Sequence, residues 1–84
     1  MTEDIQAPVR LVESIVKSLV DDPEAVEVAS HEEDYTIVVE VKVAPDDTGK
    51  VIGRQGRVIR ALRTLARASS SYVSGPHVEV EILD

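Results

Sequence analysis

Two runs of alternating apolar residues, Tyr35 to Val43 and His77 to Leu83, are separated by a helical stretch broken once, at Gly53-Arg54-Gln55-Gly56. In the first run Tyr35, Ile37, Val39, Val41 and Val43 take one face, with Thr36, Glu40 and Lys42 on the other. In the second, Val78, Val80 and Ile82 oppose Glu79 and Glu81. A period of two is the mark of a half-buried strand. Between them, Lys50-Val51-Ile52 makes a short helical turn. A longer helix runs from about 57 to 69, with Val58, Ile59, Leu62, Leu65 and Ala66 inward. Strands joined by a helical crossover of this length lie parallel.

Upstream, Pro8 suits a first helical turn, and Val9, Val12, Ile15, Val16, Leu19 and Val20 recur at helical spacing. Asp21-Asp22-Pro23 stops that helix, because the residue before a proline avoids helical angles; its span is about 8–20. Ala25 to Ala29 reads as a strand and His31-Glu32-Glu33-Asp34 as a polar turn, so this strand and the Tyr35–Val43 strand form an antiparallel hairpin. Asp46 and Asp47 are placed to cap the helix that follows. The expected fold is α+β in the order α-β-β-α-α-β, a three-stranded mixed sheet with three helices on one face. The 84 residues make one domain, 1–84, with an ordered core over about 8–83, and an apolar content of 43% is enough to build it.

Composition excludes several classes of function. There is no cysteine, so no disulfide, thiolate metal site or thiol nucleophile. His31 and His77 are far apart and read as solvated or strand-edge residues. Ser69-Ser70-Ser71 lacks a positioned base. No catalytic residue, metal ligand or cofactor is therefore expected. The start, Met1-Thr2-Glu3-Asp4, is acidic and unlike a secretory signal, and no apolar run has the length of a membrane span. Tyr35 and Tyr72 are the only aromatics, too few for an aromatic platform on which bases stack.

The net charge is −7, yet it is unevenly placed. From Thr48 to Val78 there is no acid, while Lys50, Arg54, Arg57, Arg60, Arg63 and Arg67 give +6; the other three bases and all sixteen acids leave −13 elsewhere. Exposed charges are screened within about 8 Å at physiological salt, so the local field governs what this segment attracts. Its centre is the glycine pair. Gly53 and Gly56 permit positive φ and let a ligand's backbone come close. The following helix N-terminus favours an anion. Arg54, Gln55 and Arg57 add donors there, and Arg60, Arg63 and Arg67 continue the positive surface at spacings of three and four. A phosphodiester backbone is the fitting partner.

The segment Val51-Ile52-Gly53-Arg54-Gln55-Gly56-Arg57-Val58-Ile59 resembles the GxxG signature of KH domains. The helix and strands placed before the motif are similar to the type II arrangement. A single such domain of this length resembles the stand-alone bacterial KH proteins of the KhpA family, over about residues 8 to 83. The resemblance implies single-stranded RNA binding, with Gly53, Arg54, Gln55 and Gly56 clamping the sugar-phosphate backbone of about four nucleotides. It places Ile52 and Ile59, with Val51, near an apolar groove for bases, and Tyr72, Ser74 and Gly75 in a variable loop. Lys50, Arg57 and Arg60 join the expected RNA-contacting set. It further implies a cytoplasmic protein without a membrane anchor, acting as an RNA chaperone or post-transcriptional regulator. Such proteins form homodimers or pair with a larger KH-containing protein. The alternative is a KH-fold protein-interaction module with incidental RNA binding. A helix–turn–helix reader of duplexes also sets a glycine between helices, but the flanking strands and the GxxG argue against it.

Overall fold

A computed structural model describes residues 6–69 and 77–83. The first helix, α1 (Ala7–Leu19), has Pro8 in its first turn and buries Val12 and Val16 against the sheet. The chain then makes a 3₁₀ turn at Pro23–Ala25 and enters β1 (Glu27–Glu33) and β2 (Thr36–Lys42). A second 3₁₀ turn, Pro45–Asp47, leads into α2 (Thr48–Ile52), the glycine loop, α3 (Arg57–Ser69) and finally β3 (His77–Leu83). The sheet order is β1-β2-β3, antiparallel between β1 and β2 and parallel between β2 and β3, as the crossover requires.

Three helices cover one face of this sheet, as expected. Between the layers lies an almost wholly aliphatic core, in which Val12, Val16, Val39, Val41, Val51, Leu62, Ala66, Val78 and Val80 are all fully or nearly fully buried. Val38 is also buried, although it points to the other face. There the register sets it between His31 of β1 and Glu79 of β3.

The hairpin departs from the expected boundaries. Residues His31 to Glu33, read as a polar turn, continue β1, and the turn is Asp34-Tyr35, with φ of +46° and +68°. Two left-handed residues match the right-handed twist of the paired strands. Tyr35 is accordingly not on the apolar face with Ile37; it sits in the turn and is 77% exposed. The charged end of β1 is an edge, where polar side chains meet water on both sides, so apolar alternation stops before the strand does.

Asp47 departs too. It makes no side-chain cap to α2. Its buried carboxylate instead reaches back to the chain leaving α1, accepting the Asp21 and Asp22 backbone N–H groups at 3.1 Å each. Two main-chain donors in the turn just past α1 are thereby paired, which joins the end of α1 to the start of α2.

Candidate nucleic-acid interface

The glycine loop is fixed by its own backbone. The Gly53 N–H donates to Gly49 O at 2.8 Å, closing α2, and the Gly56 N–H donates to Gly53 O at 3.1 Å. Gly53 has φ +77°, and a Cβ there would lie 2.4 Å from Val58 Cγ2 and 2.8 Å from the Val58 nitrogen. No other residue fits. Gly56 has φ +72°, but a Cβ would make only ordinary contact with Ile59 Cγ2, at 3.7 Å. Gln55 is left-handed as well, at φ +57°. Left-handed backbone costs a non-glycine residue about 1–2 kcal/mol, so the loop carries strain at the residue it displays.

Val51 and Ile59 flank this loop and are buried, pinning both ends into the core, whereas Ile52 is 38% exposed beside it. Arg54, Gln55, Arg57 and Arg60 are all exposed. Arg57 Nη2 donates to Gln55 Oε1 at 3.4 Å. Among the described residues no carboxylate forms an ion pair with Arg54, Arg57 or Arg60. The loop therefore presents uncompensated positive charge around strained backbone at the start of a helix.

Lys50 lies elsewhere in this arrangement. Its ammonium is held by Asp21 and by Asp47 Oδ1, the latter at 3.0 Å. The Asp21 carboxylate, then Asp47, push the lysine above its ordinary range. In return, the Asp21 amide and the Lys50 ammonium hold the Asp47 carboxyl below the usual carboxylate range, against the effect of burial.

At the other end of α3, Arg67 Nε donates to Val78 O at 3.1 Å, and its Nη2 donates to Glu79 Oε1 at 2.9 Å. This contact sets the C-terminal turn of α3 against the start of β3, an edge strand of the sheet. Arg63 Nε on α3 is buried without a hydrogen-bond partner. The link from Arg67 to Glu79 was not foreseen; only the packing of α3 on β3 brings the two residues together. Tyr72, Ser74 and Gly75, expected in the variable loop, lie outside the described residues. No grouping of His, Asp and Glu suited to a metal ion occurs among the described residues, and no helix there is long and apolar enough to cross a membrane.

A mixed three-stranded sheet, helices on one face and a GxxG loop between the second and third helices define a KH domain of type II. The chain belongs to the KhpA/KhpB KH-domain family, whose model matches residues 9–82. It is 53% identical over 60 residues to the RNA-binding protein KhpA of Caldanaerobacter subterraneus, covering 71% of this chain and 80% of that protein. It is 46% identical over 74 residues to the RNA-binding protein KhpA of Clostridium acetobutylicum, covering 88% and 97%. Among solved structures, a crystal structure of Era from Aquifex aeolicus superposes with a TM-score of 0.62 at 20% identity. That match covers 89% of this chain and 29% of Era, and it concerns the fold alone.

Proposed function

We propose that this chain binds single-stranded RNA, clamping the sugar-phosphate backbone with Gly53, Arg54, Gln55 and Gly56. The observation that carries this reading is the loop itself: positive φ at Gly53, Gln55 and Gly56, ringed by Arg54, Arg57 and Arg60, none paired with an acid among the described residues. A polyanion supplies the missing counter-charge, and an acid-free loop that admits close backbone approach suits about four nucleotides. The chain acts without catalysis as an RNA chaperone or post-transcriptional regulator in the cytoplasm. The relatives named RNA-binding protein KhpA support the class of ligand.

One clamp of this size binds weakly, and two clamps held together bind far better, because the second contact becomes intramolecular. Leu65 on α3 is 45% exposed, close to the exposed Ala61 and the half-buried Val58. This stripe pairs two copies, or one copy with a larger KH-containing protein. The deciding experiment replaces Arg54 and Gln55 together by Asp. Single-stranded RNA binding should be lost with the circular dichroism spectrum unchanged. Undiminished binding by that variant rejects the clamp and leaves the protein-interaction reading.

A further inference from the structure

Arg67 differs from the other arginines of α3 in being tied by two hydrogen bonds to another element of the fold while remaining exposed. Its Nε and Nη2 are tied to Val78 O and Glu79, yet its side chain remains 51% accessible. A guanidinium carries five N–H donors in a flat fork. The two bonds to β3 use the edge formed by Nε and Nη2. The opposite end, with Nη1 and the second Nη2 hydrogen, keeps two parallel donors with no partner among the described residues. A surface arginine is ordinarily mobile. Here the fold has already fixed the plane, so a ligand meets a preorganised pair of donors.

The neighbourhood selects what that pair can take. The Glu79 carboxylate lies 2.9 Å from Nη2, which disfavours a phosphate at this spot. A neutral base edge with two adjacent acceptors has no such conflict. Guanine offers one on O6 and N7, the commonest specific partner of an arginine fork, whereas adenine puts an amino group where O6 would be. Position agrees. From Gly56 to Arg67 the helix advances roughly 16 Å, so a strand clamped at the loop and running beside α3 brings a later base, not the clamped phosphates, to Arg67.

We propose that Arg67 is a specificity-determining residue that reads the O6 and N7 edge of a guanine, at the end of the bound RNA remote from the Gly53–Gly56 loop. This rests on the RNA-binding reading above. The test passes a short random single-stranded RNA library over the immobilised full chain and sequences what is retained. The parent should enrich guanine at one position. Arg67→Lys keeps the charge but not the fork; it should retain as much RNA while losing that enrichment. Glu79→Gln leaves Arg67 in place but loosens its anchor, and should lower the enrichment in the same way.

In the enriched RNA, 7-deazaguanine at that position should weaken binding by the parent about tenfold, whereas inosine, which keeps O6 and N7, should not. These nucleotide substitutions decide the matter even if the Arg67 variant folds poorly. RNA retained without guanine enrichment, enrichment of cytosine instead, or a preference that survives Arg67→Lys overturns the assignment and leaves the clamp standing. Failure of the parent to retain any RNA overturns both.

Discussion

Two groups of cations share one acid-free segment and meet different fates. Lys50 and Arg67, at its ends, are 42% and 51% exposed, and each is bound to carboxylates from elsewhere in the fold: Asp21 and Asp47 for the first, Glu79 for the second. Arg54, Arg57, Arg60 and Arg63, in the middle, have no such partner among the described residues. The fold thus trims a stretch of six positive charges to a focus at the glycine loop. The exposed pairs, Lys50 with Asp21 and Arg67 with Glu79, add little stability, but they cancel the field at the ends. A charge count along the chain gives the attraction; only the tertiary pairing tells where it is aimed.

The comparison is tested most severely by placing two negative charges in the middle group. In the Arg54→Asp, Gln55→Asp double variant the loop turns from positive to negative while both end pairs stay intact. Binding of a short single-stranded RNA, followed by fluorescence anisotropy, should vanish at concentrations where the parent saturates. Unfolding free energy should move by no more than about 0.5 kcal/mol per site, as for exposed positions. If RNA still binds, the middle group is not the contact surface.

The loop's two glycines allow the next comparison. Gly53→Ala combines positive φ with a Cβ that overlaps Val58, so it should cost on the order of 2–4 kcal/mol in urea unfolding. Gly56→Ala meets only ordinary van der Waals contact and should cost only the left-handed penalty, about 1–2 kcal/mol. Equal losses at the two positions would contradict the packing of Val58 over Gly53.

Much of this arrangement could be read from the residues in order. The alternation in Tyr35–Val43 and His77–Leu83 specified β2 and β3 almost to their ends, and the helical stretch between them required a parallel crossover. The glycine pair marked the candidate site. What escaped reading depends on partners distant in sequence. Asp47 looks like a cap for the helix beside it, yet it serves amides 25 and 26 residues earlier. Lys50 looks like one more phosphate contact until Asp21 is brought beside it. The end of β1 was hidden because Glu32 and Glu33 carry no apolar alternation, and because Asp34-Tyr35 lacks the glycine that usually signals a tight hairpin. Local pattern therefore gave the elements and the loop, while the pairing of charges needed the fold.

Neutralising one cation from each group separates their roles. Arg60→Gln should lower the slope of log affinity against log salt by about 0.7, the contribution of one phosphate on a single strand. Lys50→Gln should leave that slope unchanged and lower the melting temperature instead, since it strips Asp47 of its counter-charge. A slope change from Lys50→Gln would return that residue to the RNA surface. The same pair predicts an acid limb. The Asp47 carboxyl is depressed in the folded state, so its contribution is complete above the unfolded value of 3.8 and is lost as pH falls through the lower folded value. Asp47→Asn should melt lower at neutral pH and show a shallower decline below about pH 4.

The smallest effect expected is on the sheet's open face, where His31 is held by carboxylates as Lys50 is, but carries a charge only when protonated. Its Nε2 lies 3.0 Å from Glu33 and its Nδ1 3.2 Å from Glu40, and these carboxylates, Glu33 first, raise it above its ordinary 6.5. Because the folded value is the higher one, the stabilisation is fully present below pH 6.5 and disappears as pH rises through the folded value. The melting temperature of the parent should therefore sag slightly as pH rises from 6.5 through the raised folded value, a window that does not overlap the Asp47 limb. His31→Gln, which retains His77, should flatten that sag. RNA affinity at a fixed salt concentration should be the same for parent and variant across the window, because the imidazole sits on the face of the sheet opposite the helices. An affinity that tracks His31 protonation would mean that the two faces are coupled, and that the loop's field is not set by its own arginines alone.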